Sequence, residues 1–373
     1  MEMKRNLWGL LLFAVLAGGI QELQAQSKTA ADKTDIEYEA QFDDPYDVNK
    51  MWLNFYPFYA DAFKTNFNVG FGGQVNYLWK NKFDFHAHAR STYARFSDFS
   101  KLSGEKNSAM PIDNTVPREE MINRVMVGKL KGYRYLEIGG TYHFKDEAES
   151  GESKIVVYTN RYSDRKWAST VPEYIKVPSK VRKIMGIRAG AYYWGSSTNL
   201  GETLDKQKIQ LISSAGDTLK TNAQLYTNLQ SAGFYAGFKM MTMRNVVVKP
   251  KKYDATANDM IFSAYADIMY APLIKADDVT FRYKSNNPQT VVDRSQYPDE
   301  YYSVSPVKVN HLGFRLGMEG MFNRDFAWTY GAEMGYRPSL KTRGFYTSIR
   351  VGFSFASRMQ QKRQAYQVES KGK

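Results

Sequence analysis

The sequence predicts an all-β protein, a single antiparallel transmembrane β-barrel of about 12 strands, or about 10 if one poorly patterned hairpin is read differently. Three observations predict it. Apolar side chains alternate with small or charged ones at period two in segment after segment, as in strands with two unlike faces. The 373 residues include 27 Tyr and 22 Phe, yet the mean hydropathy is −0.52; a disordered chain would be poor in aromatics. Finally, no stretch after residue 25 approaches the roughly 20 apolar residues that a membrane helix needs.

The N-terminus comes first. Residues 1–25 read as a secretory signal peptide, with Lys4 and Arg5 as its basic start, 7–20 as its apolar run and Leu23-Gln24-Ala25 as the cleavage site. With 0 cysteines in the chain, no lipid-bearing cysteine follows the signal, and disulfides, thiolate catalysis and sulfur ligands for zinc are excluded. Residues 26–50 are expected to form a segment before the barrel, residues 51–356 the barrel, and residues 357–373 a basic tail.

The strands follow in order. A short, weakly patterned one is expected at 52–60. At 67–79, Phe67, Val69, Phe71, Val75, Tyr77 and Trp79 oppose Asn68, Gly70, Gly72, Gln74 and Asn76, and a tight turn at 80–82 leads to a strand at 83–97. Others are expected at 133–145, 183–196, 226–244 and 259–273. The last three are the clearest. In 311–322 the apolar residues are Leu312, Phe314, Leu316 and Met318; in 326–337 they are Phe326, Trp328, Tyr330, Ala332, Met334 and Tyr336; in 345–355 they are Phe345, Ile349, Val351, Phe353 and Phe355. Each segment runs about 9 to 16 residues, matching or exceeding the roughly 9 to 11 of a tilted transmembrane strand. Reading 154–161 and 166–178 as a further hairpin raises the count to the higher value. It also puts the long segments 98–132, 197–225 and 274–308 at one end and the tight turns 80–82 and 323–325 at the other.

A soluble sheet also alternates, so the content of the faces decides. The non-apolar face mixes glycine with isolated charges: Arg90, Glu137, Arg188, Lys239, Asp267, Arg315, Glu319, Glu333, Arg337 and Arg350. Small residues beside long charged ones suit a confined polar lumen, and both signs are present to form an interior charge network. Trp79 and Trp328 lie on the apolar face beside the tight turns, as members of an aromatic girdle would.

With its aromatic-ended strand Phe353-x-Phe355, the chain resembles bacterial outer-membrane β-barrel proteins, although a basic tail follows that strand. Gln26 after the cleavage site and the many Tyr and Asn residues resemble exported proteins of the Bacteroidota. Barrels of that phylum attached to type IX secretion and gliding open with a Gln-Asp-Pro run, where this chain has Asp43-Asp44-Pro45. The resemblance implies an outer-membrane location, periplasmic 26–50 and 357–373 segments, and contact with outer-membrane lipid and other cell-envelope proteins.

Few residues are left for catalysis. His86 and His88 share the lumen face of one strand with Asp84, and His143 lies on the lumen face of the next; these three histidines form a candidate nitrogen ligand set for Zn²⁺, the alternative being hydrogen-bonded polar lumen residues. By the same register His311 also faces the lumen. With no Gly-x-Ser-x-Gly elbow, an enzyme is not expected. The carboxylates Asp277, Asp278, Asp293, Asp299 and Glu300 of segment 274–308 match no calcium-loop spacing, and the neighbouring tyrosines suit a partner or glycan. The net charge of +13 is read as attraction to anionic lipid or a protein partner rather than to nucleic acid. No cofactor is expected. The expected function is a non-enzymatic structural or interaction component of a cell-envelope complex, secretion- or motility-associated, with a narrow, charged pore or transport channel as the alternative.

Overall fold

The computed structural model describes residues 37–356 except 64–65, 95–97, 107–108, 112–116, 118–120, 164–165, 215, 217, 220–224, 252 and 343. The signal peptide, residues 26–36 of the expected leading segment and the tail 357–373 lie outside the described residues.

Ten strands close into one antiparallel barrel: β1 (Met51–Phe63), β2 (Asn66–Trp79), β3 (Phe83–Thr92), β4 (Arg134–Ser163), β5 (Lys166–Asn199), β6 (Tyr226–Met243), β7 (Met260–Ala276), β8 (Leu312–Phe322), β9 (Phe326–Tyr336) and β10 (Phe345–Ala356). Each strand neighbours the next in sequence, and β10 returns to β1 with Tyr346 opposite Phe63 and Phe355 opposite Leu53. This up-and-down closure leaves no unpaired sheet edge.

The strand count is the lower of the two expected, because segment 154–178 does not add a separate pair of barrel strands. Its residues continue β4 and β5, which run to 30 and 34 residues. Residues Glu149–Val181 belong to a second compact unit, together with described residues 37–46 and Arg244–Asp259. The physical reason is a core of its own. Ile155, Val157, Ile175 and Val177 pack with Val246 and Val248, joined by Tyr38 and Tyr253. Strand Tyr38–Asp43 pairs with Val246–Pro250, which pairs in turn with Thr256–Asn258.

Within the barrel unit the two faces follow the pleat. On β9 and β10, Thr329, Glu333, Ser348, Arg350 and Ser354 are buried, while Phe326, Trp328, Phe345, Ile349 and Phe355 are exposed. Two irregularities shift that phase. In β1 the register slips between Tyr56 and Tyr59 around Pro57, and in β7 between Tyr270 and Leu273 around Pro272. Proline cannot donate to the ladder, so a bulge is where a strand tolerates it. The slip in β1 turns Tyr56, Tyr59 and Asp61 all inward, and each is at most 1 % exposed.

The tight turn 80–82 between β2 and β3 has Lys80 at φ 49° and Asn81 at φ 58°, a left-handed pair whose twist matches that of the flanking strands, and the Lys82 N–H closes it on the Trp79 carbonyl at 3.1 Å. Above the other strand ends lies an apolar lid. Its parts are helix α1 (Phe99–Lys106), helix α2 (Leu200–Gln207) and a small sheet of Ala109–Pro111, Ile122–Val127, Val279–Ser285 and Glu300–Tyr302. Leu200, Leu204, Leu211, Phe281 and Tyr302 form one core with the barrel residues Tyr59, Phe63, Tyr133 and Trp194. The helices start where capping side chains allow. Asn199 accepts the Glu202 N–H at 3.0 Å, and Asp98 accepts the Lys101 N–H at 3.1 Å.

Candidate functional site: the barrel lumen

An eight-stranded barrel has an interior that ordinary side chains just fill. Ten strands enclose more, and this chain fills the space with long polar side chains standing on a wall with small residues. The centre is a four-membered ring of charges. Arg315 on β8 grips Glu137 on β4 with two parallel bonds of 2.6 and 2.8 Å and donates from Nε to Asp267 on β7 at 2.6 Å. Arg188 on β5 closes the ring, 3.0 Å from Glu137 and 3.4 Å from Asp267. The barrel register brings these residues together: Arg315 pairs with Asp267, Asp267 with Gly237, and Gly237 with Arg188.

Around the ring the remaining charges also find opposite partners. Arg337 holds Asp61 at 2.7 and 3.3 Å, Lys239 holds Asp84 at 2.7 Å, and Arg350 holds Glu319. Glu333 lies 3.7 Å from Arg90 and accepts the Tyr346 hydroxyl at 2.6 Å and the Tyr265 hydroxyl at 2.9 Å. Six basic side chains thus face six carboxylates, so the network is charge-matched. All ten charges named from the sequence belong to it. Asp61 and Asp84 complete it.

Aromatic rings fill the gaps between charges. Arg337 lies 3.6 Å from the Tyr346 ring centroid, Arg188 4.1 Å from Tyr265, Arg315 4.3 Å from Tyr235 and Arg90 4.3 Å from Tyr135. Such cation–π contacts are strongest where water is excluded. The lumen glycines make room for these rings. A Cβ on Gly317 would run into the Tyr265 ring, and one on Gly139 into the Tyr235 hydroxyl. Between Gln74, His86, Glu137, Arg188, Lys239 and Glu333 lies a gap of about 10 Å³, room for about one water molecule.

The histidines are divided among different partners. His86 Nε2 lies 3.0 Å from Glu137 and 2.8 Å from the Tyr235 hydroxyl. His143 donates from Nδ1 to the Asn81 carbonyl at 2.9 Å, with Nε2 3.5 Å from Asp84. His88 is buried beside the rings of Tyr56 and Tyr135. The candidate zinc set is therefore not brought to a common point. Among the described residues no group of three His, Cys, Asp or Glu side chains is placed to hold a metal ion. His311 departs from its expected lumen position. It is exposed just before β8, with Nδ1 2.6 Å from the Ala271 carbonyl, because the slip at Pro272 and the end of the strand break the alternation there.

The carboxylates of segment 274–308 are likewise taken one by one. Asp299 is bonded by Arg282 at 2.7 Å, Glu300 by Arg124, and Asp277 by the Asn228 amide at 2.9 Å. The Tyr301 hydroxyl and the Val304 N–H hold the Asp278 carboxyl below its ordinary value. Burial, and then Glu300, push the Tyr302 and Tyr283 hydroxyls up to about 12.

The outside of the barrel is the converse of the lumen. Leu136, Ile138, Ile187, Phe234, Ile268, Phe314 and Trp328 are each more than half exposed. Near the tight turns the aromatics cluster. Trp79, Phe83, Phe85 and Tyr142 form one group, with Phe83 to Tyr142 at 5.3 Å; Phe326, Trp328 and Phe353 form another, with Trp328 to Phe353 at 4.6 Å. This is the side-chain distribution of an apolar band bounded by an aromatic girdle.

No protein-family model and no curated protein matches the chain. Among solved structures it is similar to the CymD monoaromatic hydrocarbon channel, at 6% identity over 84% of this chain and 90% of that one, with a TM-score of 0.25. Another similar structure is the beta domain of the Bordetella autotransporter Brka, at 8% identity over 83% of this chain and 100% of that one, TM-score 0.24. A third is OmpT, an outer membrane protein of Vibrio cholerae, in a loop L8 deletion form, at 10% identity over 83% and 99%, TM-score 0.16.

Sequence reasoning missed the tyrosines of the lumen and the lid. A tyrosine fits either face of a strand, so composition does not separate Tyr265, which bonds Glu333, from Tyr270, which is 51 % exposed. The signal was phase: Tyr265 shares the parity of Asp267 and Tyr135 that of Glu137.

Proposed function

We propose that the chain is an outer-membrane β-barrel whose lumen is sealed and which serves as a non-enzymatic structural or interaction component of a cell-envelope complex. The observation that carries this reading is the pairing of an apolar outer wall with a lumen in which six basic side chains meet six carboxylates, the gap beside Glu137 and Arg188 having room for about one water molecule. Soluble monomers rarely expose apolar surface of that extent, and a conducting pore needs a continuous wet path. The apolar lid over the strand ends supports the same reading. In such barrels short turns face the periplasm and long loops face outward, so the lid and its exposed Tyr301 are the outward contact surface. The second compact unit has a hydrophobic core of its own and offers a separate surface for a partner.

Gentle detergent extraction followed by affinity purification tests the proposal. The protein is expected in the outer-membrane fraction, with heat-modifiable mobility on gels, and to bring specific envelope proteins with it. Recovery as a soluble protein would overturn the membrane reading. Reproducible recovery with no partner, from cells expressing it at its natural level, would overturn the scaffold reading.

A further inference from the structure

The outer wall is not uniformly bulky. Where β2 to β5 adjoin, the outward positions include Gly73, Ala87, Ala89 and Ala191, and a groove of about 690 Å³ runs over them between Leu53 and Val75 on one side and Leu136 and Ile138 on the other. It does not stop within the apolar band. A second hollow of about 470 Å³ shares Gly73, Ala89, Leu136 and Tyr193 with it and reaches Arg134. A third, about 200 Å³, shares Arg134 and Tyr193 and reaches Lys131. The three form one track, greasy at one end and cationic at the other.

The level of the cations follows from strand geometry. Tyr142, in the aromatic girdle, and Arg134 lie on the same strand about eight residues apart, ~27 Å along it at ~3.4 Å per residue, or ~21 Å across a membrane at ~40° tilt. The apolar band of such barrels is ~25 Å tall. Arg134 therefore stands where the groove leaves the hydrocarbon and meets the headgroups on the lid side, and Lys131 lies just beyond. Both side chains are exposed, and among the described residues no carboxylate pairs with either. An apolar slot that ends at two exposed cations at headgroup level is complementary to an acylated, phosphate-bearing lipid.

The geometry points to a specific site for such a lipid, its acyl chains lying over Gly73, Ala87 and Ala89 and its phosphate held by Arg134 and Lys131. The site rests on the membrane reading above. Each cation at a membrane surface contributes enough that losing both weakens binding roughly 30-fold.

The test is native mass spectrometry of the full protein from mild detergent, titrated with diphosphoryl lipid A and, separately, with zwitterionic phosphatidylcholine. The wild-type protein is expected to retain lipid A in preference to phosphatidylcholine. The Lys131→Ala/Arg134→Ala variant should lose about 30-fold in lipid A affinity, and Ala89→Phe, which fills the slot, should lose retained lipid as well. Equal retention of the two lipids, or unchanged lipid A binding in both variants, would overturn the site. So would a change of oligomeric mass in Ala89→Phe without loss of lipid, which would make the groove a contact between copies. Heat-modifiable mobility and insertion into vesicles are read on the same samples. Failure to insert counts against the membrane reading, whereas insertion without preferential lipid binding counts against this site alone.

Discussion

Arg315→Met separates a dry, sealed lumen from a wet one. Arg315 is 1 % exposed and makes two short bonds to Glu137, one to Asp267 at 2.6 Å and one to the Tyr135 hydroxyl at 2.9 Å. Methionine approximates the stem of the side chain, so the loss is chiefly electrostatic. Glu137 keeps Arg188 and His86, but Asp267 is left with only the 3.4 Å contact to Arg188. Removing one partner of a buried ion pair costs about 3–5 kcal/mol, because the other charge stays desolvated. In a water-filled lumen the same pair would contribute about 0–1 kcal/mol. The double variant Arg315→Met/Asp267→Leu removes both partners and keeps the balance of charge, so most of the loss should return. Urea unfolding of the refolded protein in detergent micelles, followed by tryptophan fluorescence, measures both. A single-variant loss below about 1 kcal/mol, or a double variant as unstable as the single, would refute the sealed-network reasoning.

Other predictions follow from the same packing. Gly317→Ala should destabilise by about 1–3 kcal/mol through overpacking against Tyr265, and Tyr265→Leu should relieve part of it; a double-mutant cycle with no coupling would contradict the fit of that ring. Asn199→Ala should cost about 1 kcal/mol at the start of α2, seen as faster hydrogen exchange in Leu200–Gln207 with unchanged exchange in β9 and β10. Asp278 has a depressed pKa, so its contribution is present above the ordinary carboxylate range and is lost as the pH falls through its lowered value. The Val304 amide, which donates to Asp278 at 2.8 Å, should therefore keep its protection through the ordinary carboxylate range and lose it on acidification below that range. Protection that is as high in the acid as at neutral pH would contradict this.

Much of the barrel was legible because its last three strands keep strict alternation. Arg315, Glu319, Glu333, Arg337 and Arg350 followed directly from phase. Asp61 was hidden by the bulge at Pro57, which reverses the phase midway along β1 and made that strand look short. Segment 154–178 was misread as barrel because strand periodicity records that a residue alternates, not which core it faces; Ile155 and Val177 turn to Val246 and Val248. The lid was illegible for a related reason. Its core joins Leu204, Phe281 and Leu340, residues far apart in sequence with no shared period. The histidines show the limit of spacing arguments, since His86 and His143 share a lumen but are held by different carboxylates.

The most direct measurement is the conductance of the purified, refolded protein in a planar lipid bilayer. A barrel closed by six matched ion pairs and an apolar lid should insert and remain electrically silent, while removal of the lid segments together with Arg315→Met should produce current. Regular single-channel steps from the unaltered protein would contradict the account, because they would require a continuous path of water through Arg315, Glu137 and Asp267.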